Sequence, residues 1–106
     1  MMTEIRLVLT TFPDLEKARH FGTLLVEKQL VACINLLGPS ESIYSWEGKV
    51  CQETEIPAIL KTTEAQILRL KEFFKQKHPY EVPEFVVLEV VDGSESYLEW
   101  VAKSCS

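Results

Sequence analysis

Basic side chains never gather in this sequence. Its 11 Lys and Arg are scattered among 16 Asp and Glu, for a formal net charge of −5. Binding a nucleic-acid backbone takes a clustered positive surface, so nucleic acid is not an expected partner, and cations suit the balance better. No apolar run is long enough to span a bilayer, and no membrane partner is expected. The opening "MMTEIRLVLTTFPD" lacks the regions of a secretory leader, so the expected location is the cytoplasm. The three cysteines, Cys33, Cys51 and Cys105, show no CxxC spacing, which argues against a disulfide framework or a zinc site. The four glycines form no phosphate-cradling loop, so nucleotide binding of the P-loop or Rossmann type is unsupported. No Ser, Cys or Asp stands at a spacing that implies a nucleophile pair, and an enzyme is not expected.

What is present reads as one domain spanning residues 1–106. "IRLVLTT" (5–11) suits a strand. Asp14 is a candidate N-cap for a helix to about Gln29, with Leu15, Ala18, Phe21, Gly22 and Leu25 as its buried stripe and His20 on the solvated side. "LVACINLL" (30–37) reads as the second strand. "SIYSW" (42–46) continues it past Gly38-Pro39-Ser40, Glu47-Gly48 turns a tight hairpin, and residues 49–62 return. Pro57 cannot donate to a ladder and is expected at an edge or bulge. Thr63 with Gln66 fits a capping box for a helix to Lys77 that buries Ile67, Leu70 and Phe74 and is stopped by Pro79. "EFVVLEVV" (84–91) is a further strand, and Ser94 or Ser96 caps a last helix. The order predicts an α+β, ferredoxin-like βαββαβ fold with a C-terminal helix: an antiparallel sheet with helices on one face.

The hairpin over residues 41–55 is too long for so small a sheet. It carries Ile43, Tyr44, Trp46 and Val50, more apolar surface than two helices can cover. A hairpin folded back over its own sheet is one solution. A self-complementary contact between subunits is the other, and it removes both the open edge and the exposed aromatics.

The segments "TTFPD", "ACINLL", "SIYSWEGKV", "ILKTT", "HPYEVPE" and "YLEWV" occur in order along nearly the whole chain. In them the sequence resembles the CutA family of CutA1-type divalent-cation tolerance proteins. The resemblance implies a ferredoxin-like subunit in a tight homotrimer whose hairpins pair between subunits, and links the chain to divalent metal tolerance and copper binding; the role expected of this chain is non-catalytic, with copper or another divalent metal bound weakly. Of the family's metal ligands only His78 matches. Thr10 stands where some members carry cysteine, and Lys77 where some carry a second histidine.

His78 keeps three readings: a helix terminator favoured by the helix dipole when protonated; a metal or small-ligand residue in an inter-subunit cleft with Lys61, Tyr80 or Glu84; and a general base. Cys33 is either a small buried hydrophobe or a soft ligand for copper. Cys51 and Cys105 are expected to be exposed. A second functional reading is a signalling or adaptor trimer that binds a small ligand in that cleft, by fold-level analogy with the P-II regulators.

Overall fold

Alternation of side chains along a 15-residue strand organises this molecule. The computed structural model describes residues 3–106. In chain order the elements are β1 (Ile5–Phe12), α1 (Leu15–Glu27), β2 (Cys33–Leu36), β3 (Ser40–Trp46), β4 (Lys49–Thr63), a 3-10 turn (Glu64–Gln66), α2 (Ile67–Lys77), β5 (Val86–Glu89) and α3 (Glu95–Ser104). The antiparallel sheet runs β2-β4-β1-β5, and β3 pairs with the outer half of β4. This is the ferredoxin-like α+β arrangement that the element order predicts.

The register divides β1 and β4 cleanly. Val8 opposes Leu60, Thr10 opposes Ala58 and Phe12 opposes Ile56. This face packs against Ala18, Phe21 and Leu25 of α1 and Leu70 and Phe74 of α2. Fully burying one such side chain contributes about 1.5–3 kcal/mol. Gly22 lets α1 approach the sheet, because a Cβ there would stand 3.0 Å from Ile34 Cγ2. Asp14 caps α1, its carboxylate accepting from the Lys17 amide at 2.8 Å, and Ser94 rather than Ser96 caps α3.

The opposite face carries Leu7 against Lys61, Leu9 against Ile59 and, from β5, Leu88 and Val86. α3 covers only one end of it, where Tyr97 reaches Lys61 and Cys33. Leu7, Leu9 and Ile59 are half-buried, and Val86 and Leu88 remain 46% and 40% exposed. Beyond them the β3–β4 hairpin projects and stretches the molecule to 44 × 27 × 24 Å. Ile43 and Val50 on it are 66% and 82% exposed, so the hairpin does not fold back to bury them.

Three expectations are corrected. The second strand begins at Cys33; Leu30, Val31 and Ala32 form a buried approach, and Leu15 is exposed. Pro57, opposite Thr11 in β4, lies at a bulge as expected: between the Leu36–Ala58 and Ser40–Glu55 pairs three residues oppose two. Its carbonyl accepts from the Leu37 amide at 2.9 Å, so its missing donor points into the break between β2 and β3 and costs no ladder bond. The Thr63–Gln66 capping box does not form: Thr63 makes no side-chain cap bond, and the Gln66 amide donates to the Cys105 carbonyl at 2.7 Å. Cys105 is buried, because α3 packs its end with Ile5, Ala32 and Val101.

Thr10 is 1% exposed, and its hydroxyl has no hydrogen-bond partner. A buried unsatisfied hydroxyl is costly, whereas valine keeps the branched shape without it. Thr10→Val is expected to raise the unfolding free energy by about 1 kcal/mol, measured by urea denaturation at fixed protein concentration. A loss of stability would contradict this account of the site.

Candidate functional site

Pro79 decides where the chain goes after α2. The residue before a proline is driven out of helical geometry, and His78 accordingly adopts φ −65°, ψ 140° as the C-cap of α2. That bend turns its ring inward. The imidazole stacks on Phe12 and Phe74, with centroids at 5.0 and 5.4 Å, and meets Phe21 edge-on. Nε2 lies 3.0 Å from the Thr11 carbonyl, and Nδ1 accepts the Tyr80 amide at 3.0 Å. A carbonyl only accepts and an amide only donates, so the two bonds together select the neutral tautomer with the proton on Nε2. Burial depresses the pKa below its ordinary 6.5, outweighing the opposing bond to Thr11. His78 therefore does end α2, but as a neutral wedge in an aromatic box and not as a cation at a helix dipole. A metal or a substrate proton reaches Nδ1 only by displacing the Tyr80 amide.

The bond from Tyr80 carries the order outward. Its phenol donates to Glu55 Oε2 at 2.6 Å, at the base of the hairpin. Burial and the adjacent Glu55 carboxylate raise the phenol's pKa. For Glu55, burial pushes the pKa up, but hydroxyl bonds from Tyr80, Ser42 and Thr11 outweigh it and leave the group below its ordinary value. The chain Thr11–His78–Tyr80–Glu55 thus links β1, the end of α2 and the hairpin.

Between the hairpin and the turn after α2 lies a groove of about 620 Å³. Tyr44, Trp46 and Tyr80 supply aromatic walls, and Glu53, Glu81 and Glu84 supply carboxylates. Of the expected cleft residues, the structure brings Tyr80 and Glu84 together here. Lys61 stands apart, its Nζ 3.2 Å from the Tyr97 hydroxyl. Cys33, its cross-strand neighbour, is half-buried with Sγ 3.9 Å from the same hydroxyl. Ile43 and Val50 point to the back of the hairpin, away from the Tyr44 and Trp46 face. Cys51 is half-buried in the groove wall. Thr10 faces the helices, and Lys77 is exposed on the last turn of α2. Among the described residues, no three His, Cys, Asp or Glu side chains converge to hold a metal ion.

Sequence reasoning missed Glu55. Its spacing from Tyr80, 25 residues, carries no local signal, and only the strand register shows the pairing.

The sequence profile described as "CutA1 divalent ion tolerance protein" matches residues 6–104. The "Divalent-cation tolerance protein CutA" of Thermus thermophilus is 41% identical over 97 residues, covering 92% of this chain and 94% of the relative. The protein of the same name from Pyrococcus horikoshii is 43% identical over 95 residues, covering 90% and 92%. The solved structure of the divalent cation tolerance protein (Cut A1) from Thermus thermophilus superposes with a TM-score of 0.92 at 39% identity, covering 96% of this chain and 99% of that one.

The depressed His78 pKa has a signed consequence. The unfolded chain takes up a proton near pH 6.5 that the folded ring refuses, so this group's contribution is present above that pH and is lost as pH falls toward the folded value. Urea denaturation from pH 8 to pH 5 is expected to show stability declining below about pH 6.5. His78→Gln is expected to lower stability at pH 8 by about 2–4 kcal/mol and to flatten the decline. An unchanged slope would assign the decline to other groups.

Proposed function

This chain belongs to the CutA1 divalent ion tolerance family, and from that premise we propose that it acts in divalent metal tolerance as a non-catalytic cytoplasmic homotrimer that binds copper or a similar divalent ion weakly. The observation that carries the assembly is the half-bare sheet face, with Leu7, Leu9, Ile59, Val86 and Leu88, continuous with a projecting hairpin. Neighbouring subunits that cover this face and the hairpin residues Ile43, Tyr44, Trp46 and Val50 remove both exposures at once. No described helix is long and apolar enough to cross a membrane; the partners in this reading are divalent metal ions and the chain's own copies, with neither nucleic acid nor membrane among them.

The weakness of metal binding follows from the two donors that the chain offers. His78 gives its lone pair to Tyr80, so coordination costs that bond and loosens the turn behind it. Cys33 lies across from Lys61, whose positive charge opposes a cation. The relatives' printed names support the class of function, and these two environments support low affinity.

A second reading has its own observation. The groove holding Tyr80 and Glu84 is of ligand size, and this reading assigns it to the cleft between subunits. A small organic ligand bound there makes the protein a signalling or adaptor trimer.

Two measurements test the first reading. Analytical ultracentrifugation at micromolar concentration is expected to give three times the 12.1 kDa chain mass; a monomer would refute the assembly. Calorimetric titration with copper and zinc is expected to show weak, saturable binding that His78→Gln diminishes. Lys77→His, which adds an exposed imidazole beside His78, is expected to tighten binding about tenfold. Tight binding indifferent to both substitutions would place the metal elsewhere.

A further inference from the structure

Asp92-Gly93 lies in the connection between Glu89, the end of β5, and Glu95, the start of α3. Neither residue belongs to the site described above. The Thr3 amide donates to the Val90 carbonyl at 3.2 Å, so the chain leaves the sheet where β1 begins. The β3–β4 hairpin lies at the other end of β1, beyond the Phe12–Ile56 pair. Asp92 and Gly93 are exposed, past the last residue of β5 and remote from the hairpin. A reaction between neighbouring residues of one chain also needs no open surface.

The chain has two aspartates and one asparagine, the residues whose side-chain carbonyl carbon a following amide nitrogen can attack. Two of the three are poorly placed. The Asp14 carboxylate accepts from the Lys17 amide at 2.8 Å and from Lys17 Nζ at 3.2 Å, and a branched leucine follows it. Asn35 is paired with Ile59 inside β2, and Leu36 follows it. After Asp92 comes a glycine, with no side chain beside its nitrogen. The Gly93 amide donates to Asp92 Oδ1 at 2.8 Å, and among the described residues it has no backbone acceptor. The nitrogen rests against the carboxyl group, the proximity that favours an intramolecular step. We propose that Asp92-Gly93 is a self-modifying junction, which converts to isoaspartate through a succinimide and thereby loosens α3.

The Gly93 nitrogen attacks Cγ of the un-ionised Asp92 carboxyl group. A C–N bond forms, the carboxyl hydroxyl and the nitrogen's proton leave as water, and a five-membered imide closes. Water then opens the ring at either carbonyl and restores a carboxyl group. Opening at the former main-chain carbonyl routes the chain through Cβ and Cγ and adds one methylene to the backbone. No electron is gained or lost. Gly93 sits tightly against the helix that follows, because a Cβ on it would stand 3.2 Å from Leu98 Cδ2. Leu98 packs against Ile5, Ala32, Val101 and Cys105, the cluster that docks α3. Ser94 caps α3 by accepting from the Tyr97 amide at 3.3 Å. The added methylene displaces Gly93 and Ser94, so the Leu98 contact and the cap weaken together.

The test incubates the intact protein in near-neutral buffer, folded and in urea. Isoaspartate is mapped by enzymatic carboxyl methylation and by resistance to proteolytic cleavage before Asp92. The folded protein is expected to convert at Asp92 and not at Asp14, within about tenfold of the rate in urea. Asp92→Glu, which would need a six-membered ring, is expected to abolish the product. A folded rate further below that in urea would show that the native geometry protects the bond, and would overturn the proposal. Equal conversion at Asp14, or product that persists in Asp92→Glu, would overturn it as well. The isoaspartate form, separated by hydrophobic interaction chromatography, is then pulsed with a maleimide. Cys105, 0% exposed in the aspartate form, is expected to label about tenfold faster. Equal labelling of Cys105 in the two forms would overturn the loosening of α3.

Discussion

One imidazole joins the two halves of this molecule. His78 ends α2, turns inward because Pro79 forbids another helical residue, and lodges among Phe12, Phe21 and Phe74. Its two nitrogens accept and donate in fixed directions. The ring therefore locks β1 to the turn that follows α2, and Tyr80 passes that order to Glu55 at the root of the hairpin. Without this joint the 79–85 segment has no strand or helix to hold it, and the groove has only one firm wall. The site is thus built on the core rather than placed beside it.

Much of the fold was legible because the sequence signals agree with one another. The stripe Ala18, Phe21, Gly22, Leu25 and the caps Asp14 and Ser94 fall where periodicity and capping chemistry put them. The misreadings share a cause, which is that tertiary partners outcompeted local ones. Gln66 fits a capping box, but the Cys105 carbonyl offered its amide a buried partner. Cys105 looks like a tail residue until α3 docks. In the site, Tyr80 and Glu84 were legible from one short segment. Glu55 was not, since its partner is distant in sequence and the pairing depends on register.

The same sheet carries the surface on which the proposed assembly rests. Alternation buries one face under α1 and α2 and leaves the other face half bare, and β4 continues past the sheet for a further hairpin arm. Membership in the CutA1 family and the match to a solved relative over nearly all of both chains make this geometry a family trait. On the reading developed above, the bare face and hairpin serve assembly, and the engaged imidazole keeps metal affinity low.

All of this depends on the protonation state of one ring. Long-range ¹H–¹⁵N NMR of the intact protein reads it directly. The account predicts that at pH 7 His78 shows a protonated Nε2 and an unprotonated, hydrogen-bonded Nδ1, and that the ring takes up its second proton below the ordinary 6.5. A proton on Nδ1 at pH 7, or a titration midpoint at or above 6.5, would contradict it.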